Sequence, residues 1–255
     1  MNRHLTSTFL AALFTLTLNS ACAQSEKVMD FKPGFNSLVV TGAIEVTCSE
    51  SVTEMTVNAP EQYIGFLCCE SRNGVLNLWF EDHGKNYQIF KNAHAEVLLP
   101  ASKNLESVRL GSASRFKTDV PISGNNVDIT VSGASSFESS SPISGQNIRI
   151  NLSGASSMKA DVRAAGLDLD CTGASSMRMD GNAKQMKLKL SGASRLKGDI
   201  DVLNSRVSIS GASSASFSSD GGAVSGSVSG ASNLDISGRC TNNVKTSGAS
   251  SISIH

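Results

Sequence analysis

Asp161, Asp180 and Asp199 recur at steps of 19 residues, and two positions before each stands a cation: Lys159, Arg178 or Lys197. Lys117-Thr118-Asp119 is an earlier echo of the same pair. Carboxylates stacked in one column could ligate a calcium ion, and a basic group beside them could take a proton from an acidic sugar. That would be the chemistry of a polysaccharide lyase. The competing reading is a structural ladder, in which the neighbouring cations limit repulsion between the aspartates. A second column supports the ladder, because Asp128, Arg149, Asp168, Lys187 and Arg206 mix signs and Asp170 stands beside Lys189. Opposite charges on adjacent units control register. The three aspartates are thus the candidate metal ligands, and the ladder reading outweighs them.

Other reactive residues add little. His83 and His94 lie outside any regular pattern and His255 is terminal. Glu81-Asp82-His83 could touch a metal, though a solvated loop is the commoner use of such a run. No defensible Ser-His-Asp order, phosphate loop or dinucleotide fingerprint is present, and G-x-S matches follow from Gly-Ser composition alone. No catalytic residue and no cofactor is expected.

The elements that must position these columns are written in a repeated word. S-G-A-S or a close variant occurs at Ala113, Ala134, Ala155, Ala174, Ala193, Ala212, Ala231 and Ala249, with steps of 21, 21, 19, 19, 19, 19 and 18 residues. A fixed period near twenty implies a solenoid whose turns cannot bury their apolar faces alone. Counting from each Ala, positions −5, −3, +3 and +5 are mostly apolar and those between mostly polar. That period of two predicts half-buried strands. Phe116, Phe137, Met158, Met177, Leu196, Ala215, Leu234 and Ile252 all fall at +3. Alternation through the word itself puts its Gly and second Ser on the inward parity, at a tight corner. Pro121-Ile122-Ser123-Gly124 and Pro142-Ile143-Ser144-Gly145 account for the two 21-residue steps. The expected fold is all-β: a single-stranded parallel β-helix of 19–21-residue rungs over residues 104–255, right-handed by the preference of parallel crossovers. A left-handed hexapeptide coil fits less well, since 19 is not a multiple of six.

Composition fits a narrow coil. Aromatics are 5% of the 255 residues, and 22 basic residues balance 22 acidic ones. The balance argues against a nucleic-acid partner, which needs a basic stripe. Residues 1–23 read as an export signal: Arg3 and His4 precede an apolar run from Phe9 to Leu18, too short to span a membrane. Ala21-Cys22-Ala23 offers a cleavage site. Lipid attachment at Cys22 is the alternative, against which Asn19 stands where a lipobox wants Leu. No later segment reads as membrane-spanning. The expected location is the periplasm, the outer envelope or the medium. Cys171 reads as a small core residue, while Cys48 could pair with Cys68 or Cys69 in an oxidising compartment.

Residues 24–103 lack the word and carry longer strands, at 37–48, 55–58, 74–80 and 94–99. They read as an irregular β cap on the solenoid, since an uncovered terminal rung invites end-to-end association. Tyr63, Phe66, Trp79 and Tyr87 could instead mark a binding platform, but aromatics are more often core.

The segment from Phe35 to Val46, FNSLVVTGAIEV, resembles the opening of the head GIN domain proteins, and the S-G-A-S copies resemble that family's repeated rungs. The resemblance covers nearly all the chain after the signal. It implies an exported bacterial protein with a β-helical fold, no known catalytic residues and a role in adhesion. The chain ends at Ser253-Ile254-His255 with no anchor barrel, so the "autotransporter" in the family's name is not carried over. The function expected is a non-catalytic cell-envelope binding module, with surface glycans or another envelope protein as partner. A polysaccharide-binding or lyase-like enzyme is the alternative.

Overall fold

The structure is a computed structural model that describes residues 24–28, 34–81, 92–103 and 105–255. The signal with Cys22, and Asp82, His83 and Tyr87, lie outside the described residues. About 65% of the described residues are strand, with almost no helix, arranged as a β-solenoid.

The first part holds β1 (Gln24–Val28), β2 (Ser37–Thr41), β3 (Ile44–Ser49), β4 (Thr56–Pro60), α1 (Glu61–Ile64), β5 (Leu67–Arg72), β6 (Val75–Phe80) and β7 (Ala95–Pro100). The strand expected over 37–48 is broken at Gly42-Ala43, where Gly42 takes a φ of 108°. The repeats follow as β8 (Ser107–Gly111), β9 (Arg115–Thr118), β10 (Ile122–Val131), β11 (Ser136–Ser139), β12 (Ile143–Leu152), β13 (Ser157–Cys171), β14 (Ser176–Leu190), β15 (Arg195–Lys197) and β16 (Ile200–Ile209). Then come β17 (Ser214–Ser218), β18 (Ala223–Val228), β19 (Asn233–Ser237), β20 (Thr241–Thr246) and β21 (Ser251–Ile254).

Stacking is parallel and in register along the repeats. Ile129 pairs with Ile150, Ile150 with Leu169, Leu169 with Leu188 and Leu188 with Val207. All five side chains are buried. On the other side of the coil Phe116, Phe137, Met158, Met177 and Leu196 form the inward column that the spacing predicts. The rings of Phe116 and Phe137 lie 5.4 Å apart. Each such side chain contributes roughly 1.5–3 kcal/mol by leaving water. The connecting segments are not open loops, however. β13 and β14 run unbroken for 15 residues each. Val162 and Leu167 both point inward although five residues apart. One residue per rung must therefore be skipped, and Ala165 has no register partner between Ala164 and Gly166.

Rungs do not stack in chain order at the beginning. β2 pairs in parallel with both β6 and β8, and β3 with both β7 and β9. Residues 37–49 therefore sit inside the stack, between 75–100 and 107–118. The parts of the 24–103 segment that close the end are β5 on β6, β4 on β7 and β1 on β4, all antiparallel. Tyr63 of α1 is buried there, while Phe66 and Trp79 are half-buried. One apolar core runs continuously from Phe35 to Ile236.

The corner word is resolved in detail, and half of its expected orientation is corrected. The second serines (Ser114, Ser135, Ser156, Ser175, Ser194, Ser213 and Ser232) are buried as a column of hydroxyls. They bond within the corner: Ser175 Oγ donates to the Thr172 carbonyl at 2.7 Å and Ser194 Oγ to that of Ser191 at 2.8 Å. The glycines are exposed and left-handed, with φ between 74° and 80° from Gly133 to Gly248. A positive φ reverses the chain locally, so strand parity does not pass through it. The same corner exists without the word at Gly42, where Ile44 fills the position of the buried serine.

The five described cysteines, Cys48, Cys68, Cys69, Cys171 and Cys240, are free thiols. The expected pairing of Cys48 is not formed. Cys48 is buried on β3 with its thiol toward the Pro100 carbonyl, whereas Cys68 and Cys69 lie on β5, which pairs along β6 on the other sheet face.

Candidate binding groove

The three aspartates do not converge. Asp161 and Asp180 are register neighbours, but Asp161 Oδ1 faces Arg163 Nε at 3.7 Å. Asp180 Oδ1 accepts the backbone N–H of Asp199 at 2.9 Å. Asp199 itself lies between β15 and β16 and is exposed. Among the described residues no three His, Cys, Asp or Glu side chains form a metal-holding group. Their cations go elsewhere too. Lys159 Nζ pairs with Glu138 at 3.0 Å, and Arg178 and Lys197 form no ion pair among the described residues.

The column of mixed sign behaves as a ladder. Asp168 lies 4.0 Å from Arg149 and 3.9 Å from Lys187, while Asp170 lies 3.8 Å from Lys189. On the opposite side Glu45 is held by Lys117 at 2.7 Å and Arg115 at 3.0 Å. The Lys117 hydrogen bond draws its carboxyl below the usual range, with burial opposing.

Beside the mixed column runs a feature that the sequence did not announce. Val127, Ile148, Leu167 and Met186 point inward, so the residues on either side of each point out. One outward column carries Asp128, Arg149, Asp168, Lys187 and Arg206; the other carries Asn126, Asn147, Gly166 and Gln185. The two columns are the walls of a groove of about 620 Å³ that crosses the rungs along the solenoid axis. Asn147 Nδ2 donates to Asn126 Oδ1 at 3.1 Å, starting an amide ladder that stops at Gly166.

Gly166 is not required by the backbone. Its φ is not left-handed, and a β-carbon there would approach only Asn147 Oδ1 at 3.2 Å and the Gln146 carbonyl at 3.7 Å. This contrasts with the corner glycines. Glycine inside a strand costs about 0.5–1 kcal/mol relative to alanine, and what its absence of side chain achieves here is depth. Gln185 and Arg206 have no side-chain partner among the described residues, so their hydrogen-bonding groups face the groove unspent. A signal was available: column by column, the 126 series reads amide, amide, glycine, amide. In a Gly-rich chain it does not stand out without the register.

A smaller concavity of about 460 Å³ lies on the other sheet face, between Leu98, Val52 and Asp119. Ser49 Oγ donates to Asp119 Oδ2 there at 2.7 Å.

Comparison with known proteins agrees with this architecture. The family model described as "Putative auto-transporter adhesin, head GIN domain" matches residues 34–139 and again 127–240. The chain belongs to the head GIN domain family. The two overlapping matches treat the coil as reiterated, as the register does. A crystal structure called a putative adhesin from Parabacteroides distasonis superposes with a TM-score of 0.78 at 18% identity, covering 92% of this chain and 98% of that one. A putative adhesin from Parabacteroides merdae gives 0.75 at 16% identity, over 93% and 97%. A putative lipid binding protein from Parabacteroides distasonis gives 0.77 at 14% identity, over 91% and 96%. At such identities the likeness shows the fold. No curated protein is significantly similar in sequence. No helix among the described residues is long and apolar enough to cross a membrane.

Proposed function

We propose that this head GIN domain protein is an exported, non-catalytic binding module of the cell envelope, and that its ligand lies in the groove bounded by the 126 and 128 columns. The observation that carries this reading is Gly166, a glycine that interrupts an amide ladder where the backbone would accept a side chain. The open position deepens a polar trough whose walls are regular columns about 4.8 Å apart per rung, suited to an extended ligand lying along the axis. The relatives' names, adhesin in two cases, fit a protein whose task is to hold something. Asp168, at the middle of the groove, supports binding over catalysis: it is shared by two cations, as a ladder residue is, and not held free as a base.

The experiment is a glycan array probed with the mature protein and with a Gly166→Asn variant, alongside fractionation of the native host. Binding that the variant loses, from a protein found in the envelope fraction, is the expected result. Binding equal in both proteins would place the ligand elsewhere, and recovery in the cytosol would refute export.

A further inference from the structure

Resting on that groove, we infer that its ligand is an oligosaccharide bearing a carboxylate, with the acid group held at the Lys187–Arg206 end. Lys187 and Arg206 are direct register neighbours, so two cations stand side by side on adjacent rungs. Like charges so placed repel unless an anion lies between them. Asp168 does not serve both, because it lies between Arg149 and Lys187, one rung away. Arg206 is left with its guanidinium exposed and without a partner among the described residues. A planar fork of this kind binds a carboxylate through two parallel N–H donors.

The remainder of the groove has the chemistry of a hydroxyl-rich chain. Asn126, Asn147 and Gln185 each offer both donors and an acceptor, matching sugar hydroxyls that do the same. The gap at Gly166 lies between Asn147 and Gln185, beside Asp168, where a ring could settle without displacing a side chain. An extended peptide would need free backbone groups to pair with. The floor has none to give, since β10, β12, β13 and β14 are already laddered to one another through these positions. A nucleic acid would need an unbroken row of cations. Here Asp128 and Asp168 alternate with Arg149 and Lys187.

The test is titration calorimetry of the mature protein with tetragalacturonate and with its methyl ester, which keeps the hydroxyls and removes the charge. The acid should bind at least about tenfold more tightly than the ester. Arg206→Gln should abolish that preference, and Gly166→Asn should abolish binding of the acid, with both variants melting near wild type. Equal affinity for acid and ester, or a preference that survives Arg206→Gln, would overturn the carboxylate assignment and leave the groove standing. Binding of the acid unaffected by Gly166→Asn would sink groove and assignment together. No heat with tetragalacturonate would refute the assignment, and the array would then decide separately whether the groove binds neutral sugars.

Discussion

A β-carbon added to Gly173 would stand 2.5 Å from the carbonyl oxygen of Gly154 one rung below. That oxygen already accepts the Ala174 N–H at 2.7 Å. The left-handed φ of 78° disfavours a side chain, and the crowding excludes one. Gly173→Ala should therefore cost more than about 2 kcal/mol in urea unfolding. The first copy of the word tests the converse, because Ser112 holds the same conformation with φ 68°. Ser112→Gly should gain about 1 kcal/mol by relieving it. A tolerated Gly173→Ala would show that the corner can reshape.

Much of this was legible beforehand, and the limits have physical causes. The column from Phe116 to Leu234 could be read because a strand's period of two is visible in single residues. The buried second serine followed from the same alternation. The exposed corner glycine did not, since a left-handed residue resets the parity that the reading assumes. Nor did the place of Ser37–Ser49 between two later rungs. Alternation says which side chains face in, but every rung has the same apolar code, so it does not say which rungs are neighbours. The aspartate column was visible, and its order was right: Asp161 pairs with Asp180, and Asp199 lies against Asp180 through its N–H. That Asp199 falls in the break before Ile200 depends on where β15 ends, which no residue type marks.

Ser205 occupies an inward position in the column of Ile148, Leu167, Met186 and Val224, and its buried hydroxyl has no hydrogen-bond partner among the described residues. An unsatisfied polar group in such a place costs about 1–3 kcal/mol. Ser205→Val should raise stability by about 1 kcal/mol in chemical denaturation, combining removal of the hydroxyl with added apolar burial. A loss in Val with a gain in Ala would mean that the space is too small. A loss in both would mean that the hydroxyl is satisfied.

Whole rungs should be dispensable where half rungs are not. Deleting 173–191 removes 19 residues and rejoins Thr172 to Gly192, so Leu169 would meet Val207 as it now meets Leu188. Deleting nine residues would set polar outward columns against apolar inward ones. The long deletion should melt cooperatively within several degrees of wild type and the short one should not fold. Equal damage would argue against independent rungs.

Burial pushes the Cys171 thiol up to about 12 from an ordinary value of 9.0. Between those values the unfolded chain has released its proton and the folded chain has not. The contribution is therefore complete below pH 9 and is lost as pH rises toward 12. Cys171→Val, an apolar replacement between Leu152 and Leu190, should lose less stability than wild type between about pH 7 and about pH 10. The comparison is of urea midpoints. Identical losses would show that Cys171 ionises no differently when buried.

Asp180 decides between ladder and calcium site. Its Oδ1 accepts the Asp199 N–H, a bond that an amide oxygen can also accept, and the Oδ1 of its register neighbour Asp161 faces Arg163. Asp180→Asn removes one of two adjacent negative charges and keeps the acceptor. Stability should then change by less than about 1 kcal/mol, with no calcium-dependent rise in melting temperature in either protein. Calcium bound by wild type more tightly than about 100 µM and lost in Asp180→Asn would restore the metal reading. Arg178 and Lys197, register neighbours in the adjoining column without an ion pair among the described residues, weigh against it, because a divalent cation beside Asp180 would be repelled by both.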